Sequence, residues 1–167
     1  MIKRFEINSS LQSIDPPETA FGYSYWSYMI PPFKPESVLI LGAGGGTIEK
    51  LIKNVWGDDF PIRSVDVKAH AIFIMDVREY VRISDKIHDY VVVDISNGAE
   101  IPDWLFSEEF VKDLARITKK LLSINVLGKA RDMSFYDNYF DFDLEKVILD
   151  NKIYFYKAKD NKDNYFL

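Results

Sequence analysis

The sequence predicts an α/β protein whose sheet is mostly parallel and ends in an antiparallel hairpin. Two strand-like runs rich in apolar residues, at 38–41 and 90–95, are typical of parallel strands that are buried on both faces. A helical apolar stripe follows the first run without delay. Near the carboxyl end, turn residues at 150–152 separate two further strand-like segments, which indicates a hairpin.

Composition excludes several classes of function. The chain has 167 residues, of which 47% are hydrophobic, so we expect one domain with a packed core. It has no cysteine, which excludes thiolate catalysis, disulfides and zinc–thiolate sites, and we expect no metal site. This cysteine usage favours a cytoplasmic protein. The net charge of -5 argues against binding to nucleic acid, and no apolar run has the ~20 residues of a membrane span.

The most informative motif is the glycine-rich stretch after the first strand. Gly42, Gly44 and Gly46 allow a sharp turn and a close approach of the backbone to a ligand. A helix is predicted next, from the apolar stripe formed by Ile48, Leu51, Ile52 and Val55. A strand, a glycine turn and a helix N-terminus in this order hold a nucleotide or nucleoside in α/β proteins. The alternative is a tight turn that binds nothing.

The spacing of the glycines distinguishes between ligands. A dinucleotide-binding fingerprint has its third glycine at the position where this chain has Thr47. The pattern instead suits a GxGxG loop of the kind that binds S-adenosylmethionine (SAM), which has no pyrophosphate.

An aromatic cluster lies in the segment before the first strand, residues 1–34, which we interpret as an N-terminal arm or lid. Tyr23, Tyr25 and Trp26 could line a substrate pocket, because such side chains combine an apolar body with a polar tip. The alternative, that these rings pack the arm against the sheet, is the more common use of aromatic residues.

Two aspartates are candidates for the nucleoside. Asp66 ends a strand predicted over 62–67 and lies 20 residues beyond Gly46, where an acid accepts hydrogen bonds from ribose hydroxyls. Its alternative role is that of a solvated strand end. Asp76 ends a strand predicted over 71–76, before a short helix, and could meet the adenine amino group or cap that helix.

The connection between these two strands is too short for a regular crossover. Only residues 68–70 separate them, whereas parallel neighbours need about a dozen residues or more. Either the intervening helix is missing, or the segments form a hairpin, or one is not a strand. In a hairpin, Asp66 and Asp76 would lie at opposite edges of the sheet.

Asp94 is the candidate catalytic residue. It lies at the end of the strand predicted over 90–95, where a loop with Ser96 and Asn97 begins that should emerge at the same edge as the glycine turn. A partly desolvated carboxylate there could take a proton from an attacking amine or hydroxyl, or it could merely cap its loop.

The remaining elements are less distinct. A helix capped by Ser107 is predicted to bury Phe110, Val111, Leu114, Ile117 and Leu121, before a strand at 121–128. Residues 129–143 have no clear pattern, and 158–167 form a polar tail.

With these motifs in place, residues 22–157 resemble the class I SAM-dependent methyltransferase fold, in its spermidine-synthase-like branch. The resemblance implies that Gly42, Ala43, Gly44 and Gly46 hold the methionine part of the cofactor, Asp66 the ribose, and Asp76 with Val77 the adenine. It implies that Asp94 serves a substrate amine. Aminopropyltransferases have a second acid where this chain has Asn97, and they have a longer N-terminal β-domain.

We therefore expect a Rossmann-like domain at 35–157 that lacks the helix after its second strand. The expected function is transfer of a methyl group, less readily an aminopropyl group, from SAM or decarboxylated SAM to a small nucleophile. One alternative is a degenerate interaction module, whose exposed sheet face would permit a homodimer. A nicotinamide-dependent oxidoreductase is disfavoured by Thr47.

Overall fold

The computed structural model describes residues 3–7, 10–15, 24–67, 71–98, 100–128 and 131–160. The strands are β1 (Lys3–Ile7), β2 (Ser10–Asp15), β3 (Val38–Leu41), β4 (Ile62–Asp66), β5 (Phe73–Ile74), β6 (His88–Val93), β7 (Thr118–Leu127), β8 (Phe140–Ile148) and β9 (Asn151–Ala158). The helices are α1 (Thr47–Trp56), α2 (Val77–Ile83), α3 (Glu108–Ile117) and α4 (Ser134–Tyr139), with 3₁₀ helices at Tyr25–Met29 and Asp103–Phe106. None of the helices in this described part is long and apolar enough to cross a membrane.

Seven of the strands form one sheet in the order β5-β4-β3-β6-β7-β9-β8. Strands β3 to β7 pair in parallel, whereas β9 pairs antiparallel with both β7 and β8. The predicted sheet, mostly parallel with a C-terminal hairpin, is confirmed. Strands β1 and β2 form a separate antiparallel pair.

The strand order reverses beside β3. The chain runs from β3 to β4 and β5 on one side, and then returns to β6 and β7 on the other. In open α/β sheets such a reversal separates the loops at the carboxyl ends of the two strands and leaves a crevice between them. Here those loops are the glycine turn after β3 and the Asp94 loop after β6.

The alternating side chains of β3 enter two different cores. Val38 and Ile40 pack with α1 and the 3₁₀ helix at Tyr25–Met29, while Leu39 and Leu41 pack with α2 and α3. The sheet is therefore covered by helices on both faces, which explains why its central strands are continuous apolar runs.

The hairpin considered for residues 62–76 is wrong. Strands β4 and β5 pair in parallel, with six residues between them. The short connection is possible because β5 has two residues and needs little translation along the sheet. Hydrogen bonds from Ile72 N to Ser64 Oγ (3.1 Å) and from Met75 N to Asp66 O (3.0 Å) hold it in place. Asp66 and Asp76 consequently lie at the same edge of the sheet.

Two smaller expectations also fail. Leu121 belongs to β7, not to the preceding helix, because α3 ends at Ile117 and β7 begins at the next residue. Val55, expected in the apolar stripe of α1, is 48% exposed. The unassigned stretch contains α4 and the start of β8.

His88 makes the fold sensitive to acid. Its side chain is 1% exposed, and neither ring nitrogen has a hydrogen-bond partner among the described residues. Burial, together with the nearby positive charges of Lys86 and Arg63, lowers its pKa to about 4. The unfolded chain therefore binds a proton more readily than the folded chain between about pH 6.5 and pH 4.

We expect the unfolding free energy of His88→Leu, relative to the parent protein, to rise by up to about 3 kcal/mol when the pH falls from 7 to 4. Urea unfolding at several pH values measures this difference. A relative unfolding free energy that is constant with pH would show that His88 is protonated as easily in the folded protein as in the unfolded chain.

Candidate functional site

The glycine turn lies against the loop after β6. Gly42 has a φ of +89°, and a Cβ atom there would lie 2.2 Å from the carbonyl oxygen of Asp94. Gly42 N donates to Val65 O and Asp94 N donates to Leu41 O, which joins the ends of the three neighbouring strands. Gly46, with a φ of +83°, precedes α1 and its carbonyl accepts from Lys50 N. The turn thus depends on glycine both for its shape and for its contact with the Asp94 loop.

A pocket of about 250 Å³ opens where these loops meet. Its lining combines the glycine turn with the ends of β4, β5 and β6: Gly42, Gly44, Asp66, Val67, Asp76, Val77, Arg78, Asp94, Ile95, Ser96, Asn97, Pro102 and Trp104. A second, larger groove between α2 and α3 shares Asp76, Arg78 and Trp104 with it. The volume of the pocket alone is near the lower end of the range for small-molecule sites. Because the pocket and the groove share lining residues, the two spaces are adjacent.

Asp66 is tied to the glycine turn. Its Oδ2 accepts a hydrogen bond from Gly44 N at 2.9 Å. The carboxylate therefore lies at the base of the pocket beside the bare backbone of the turn.

Asp76 combines a capping role with an ion pair. Its Oδ1 accepts from Arg78 N at 2.8 Å, which caps α2, as anticipated. The Arg78 guanidinium donates to both oxygens, from Nε at 3.0 Å and from Nη2 at 2.6 Å. These bonds hold the pKa of Asp76 below its ordinary value. Arg78 also lies over the Trp104 ring, 5.1 Å from its centroid, and both side chains line the pocket and the groove.

Asp94 is the most perturbed acid at the site. Its Oδ2 accepts from the Tyr25 hydroxyl at 3.1 Å, and its Oδ1 accepts from Asn125 Nδ2 at 3.0 Å. Burial raises the pKa of Asp94 to about 6, although hydrogen bonds from Asn125, Tyr25 and Trp26 oppose this rise, and the charge of Asp66 adds to it. A carboxylate with such a pKa is mostly ionised at neutral pH and can still take a proton.

The aromatic candidates of the N-terminal segment have different positions. Tyr25 contacts Asp94, and burial raises the pKa of its hydroxyl well above the ordinary value, so that the hydroxyl remains a donor. The Trp26 ring is 3% exposed and packs in the core, as the alternative interpretation predicts, and its side chain also donates a hydrogen bond to Asp94. Tyr23 lies outside the described residues.

The other candidate site residues also differ in whether they line the pocket. Ser96 and Asn97 line the pocket beside Asp94, and Asn97 N donates to Glu100 O at 2.8 Å. Val77 also lines it, whereas Ala43 and Gly46 shape the turn without lining the pocket. The structure therefore brings together the glycine turn, three aspartates and Tyr25.

Comparison with known proteins identifies the fold of this chain. No family model matches the chain. The spermidine synthase of Thermotoga maritima covers 91% of this chain and is covered over 64% of its own length, with a TM-score of 0.59 at 18% identity. The magnesium protoporphyrin IX methyltransferase of Synechocystis PCC 6803, solved with bound SAM, matches 86% of the chain and 79% of its own, with a TM-score of 0.58 at 12% identity.

The chain has the class I methyltransferase fold. Its sequence is similar to that of a polyamine aminopropyltransferase from Chromobacterium violaceum, with 26% identity over 130 residues that cover 66% of this chain and 49% of that protein. Within the methyltransferase fold, the likeness is thus to the spermidine-synthase-like branch. The chain spans about half the length of that curated relative.

Three residues at this candidate site were missed by reasoning from the sequence alone. Arg78 and Trp104 line the pocket, and Asn125 reaches Asp94 from β7. The signal for Asn125 is present in the sequence, because a single amide interrupts the apolar run of β7 beside Ile124 and Val126. A buried polar residue needs a partner, but the sequence does not identify which one.

Proposed function

We propose that this chain is a transferase that binds SAM or decarboxylated SAM and modifies a small amine. The observation that carries the proposal is the Asp94 carboxylate, held at the glycine turn by Tyr25 and Asn125 with a pKa of about 6. General bases of this kind are most effective when their pKa lies near the working pH.

The pocket's charge fits a sulfonium nucleoside. Three carboxylates line it, and among its described lining residues Arg78 is the one cation, already paired with Asp76. Such a lining favours a cationic ligand, which a sulfonium is. The glycine turn would hold the methionine part, Asp66 the ribose, and Asp76 with Val77 the adenine. The Arg78 side chain is 57% exposed, so it can turn outward and release Asp76 for the adenine amino group.

When bound, the cofactor supplies an electrophilic carbon on its sulfonium. The chain's own residues then orient the amine and accept its proton. Asp94 holds the amine N–H near its carboxylate, and Tyr25 and Asn125 fix the carboxylate's position. Asp94 would accept the proton that the amine loses on alkylation, and the cofactor would supply the carbon and keep the carbon–sulfur electron pair on its sulfur. Alignment of the reactants supplies most of the acceleration in such a step.

We propose methyl transfer as the reaction, because a polyamine would need a second carboxylate where Asn97 stands. Moving a doubly charged amine out of water without such a partner is costly. Aminopropyl transfer is the second candidate. It is favoured by the acidic lining, which offers no unpaired cation among its described residues for the carboxylate of SAM.

The N-terminal residues 1–34 are proposed to act as an arm over the pocket. The contact between Tyr25 and Asp94 supports this role, since it ties the arm directly to the candidate base. A homodimer remains a prediction, which sedimentation would test.

Calorimetry with SAM, decarboxylated SAM, methylthioadenosine and NAD tests the proposed function. We expect saturable binding of methylthioadenosine and of one sulfonium nucleoside, and no binding of NAD. SAM as the tighter ligand would support methyl transfer, and decarboxylated SAM would support aminopropyl transfer. No heat with any of the four would contradict the proposal and favour the interaction module.

A further inference from the structure

Asn125 is a buried amide within the sheet. It lies on β7, which pairs in parallel with β6, the strand that ends immediately before Asp94. Its neighbours Ile124 and Val126 point into the core formed with α2 and α3, so the Asn125 side chain faces the opposite side, where Tyr25 and Trp26 lie. The side chain is 5% exposed. An amide at this depth must be explained by what it bonds.

Of the two polar atoms of the Asn125 side-chain amide, one forms a hydrogen bond among the described residues. Asn125 Nδ2 donates to Asp94 Oδ1 at 3.0 Å, whereas Asn125 Oδ1 is buried and has no hydrogen-bond partner among the described residues. A buried carbonyl oxygen without a donor is unfavourable, and native proteins keep few of them. The free oxygen belongs to the same amide group that already contacts Asp94, so a half-turn of the amide would bring it to that carboxyl group.

We propose that Asn125 is a positioning residue that holds Asp94 in both of its protonation states by turning its side-chain amide. With Asp94 ionised, Nδ2 donates to Oδ1, as observed. With Asp94 protonated, the turned amide accepts the carboxylic O–H at its own Oδ1. The role of Asp94 as proton acceptor rests on the proposed function, whereas the coupling between the two side chains does not.

The other groups around Asp94 favour the proton on the oxygen that faces Asn125. Two titratable side chains act on Asp94, Tyr25 from the 3₁₀ helix and Asp66 from β4. Tyr25 donates to Oδ2, and its raised pKa keeps that proton on the tyrosine. The Asp66 charge favours protonation of Asp94 without contacting it through a hydrogen bond among those described. Trp26 also donates a hydrogen bond to Asp94, and an indole N–H cannot accept one. Asn125 Oδ1, which has no donor among the described residues, is therefore the acceptor placed to take the acidic proton.

Titration of the Asp94 carboxyl carbon by NMR in the ligand-free protein tests the coupling. Hydrogen bonds to a charged group are stronger than those to a neutral group, so Asn125→Leu should raise the Asp94 midpoint by about one pKa unit. Asn125→Ser, which keeps a small donor and acceptor, should give a smaller rise. Ile124→Val, a mild change on the opposite face of β7, should leave the midpoint unchanged.

The infrared carbonyl band of protonated Asp94 tests the turning amide. If its O–H donates to Asn125, the band should lie at lower frequency in the parent protein than in Asn125→Leu. An unchanged midpoint or an unchanged band in Asn125→Leu would overturn the inference. If Asn125→Leu does not fold, the same comparison with Asn125→Ala, which also has no side-chain donor or acceptor, decides. Because both readouts use the free protein, a chain that proves inactive as a transferase can still show the coupling.

Discussion

Replacing Asp94 with asparagine should lower kcat by about 10²–10⁴-fold, the usual contribution of a general base. The affinity for the sulfonium nucleoside should stay within about tenfold, because this change removes an interaction with the reacting amine and not with the nucleoside. Steady-state kinetics combined with calorimetry measures the two effects separately. With Asp94 as the base, the acid limb of the parent pH profile should lie near pH 6.

Asp66→Asn is the matched control, since it makes the same chemical change in the same pocket. Asp66 bonds Gly44 N at the base of the turn, so this variant should weaken nucleoside binding more than it slows turnover. Loss of nucleoside binding in Asp94→Asn, with turnover of the bound complex unaffected, would remove Asp94 from the chemistry.

Asp94→Asn should also stabilise the protein above pH 6. Because burial raises the Asp94 pKa from 3.8 to about 6, the folded chain holds this proton more tightly than the unfolded chain. As the pH rises from 4 to 6, the parent protein therefore loses up to about 3 kcal/mol of unfolding free energy. Asp94→Asn does not lose this contribution. The opposite contribution of His88 is present in both proteins and cancels in the difference.

Gly42→Ala should disrupt the site more than any other small substitution in the turn. The added Cβ would lie 2.2 Å from the Asp94 carbonyl oxygen and 2.9 Å from Ile95 Cγ1, at a φ of +89°. The backbone of two neighbouring strand ends would have to separate. We expect a loss of about 3 kcal/mol or more in unfolding free energy, measured by denaturant titration, together with loss of nucleoside binding.

Gly46→Ala separates backbone strain from steric contact. Gly46 has a similar φ of +83°, but nothing lies within 4 Å of an added Cβ. This variant should cost only the left-handed conformation, about 1–2 kcal/mol, and should keep the pocket. Equal losses in the two variants would show that the contact between Gly42 and the Asp94 loop does not hold the site together.

The parts of the fold that were predictable have strong local signals. Four consecutive apolar residues identify β3, and the glycine spacing identifies the turn that follows it. The turn residues at 150–152 predict the hairpin of β8 and β9, whose turn the structure forms at 149–150. In each case the residues that carry the signal are those that form the structure.

The remaining parts depend on contacts between distant segments. Strand β5 has two residues, too few for any periodicity, so its parallel pairing with β4 could not be deduced. Strand β7 begins without a turn residue after α3, and therefore the helix was extended to Leu121. The bonds that Tyr25 and Asn125 make to Asp94 span 69 and 31 positions, and a sequence pattern does not specify such pairings.

Chemical-shift mapping with methylthioadenosine tests the central claim most directly. Backbone amide signals of the protein are followed while the thioether nucleoside is added. The account predicts saturable shifts at Gly44, Val67 and Val77, which line the pocket at the end of the central strands. Shifts confined to the groove between α2 and α3, or no shifts at millimolar ligand, would contradict it.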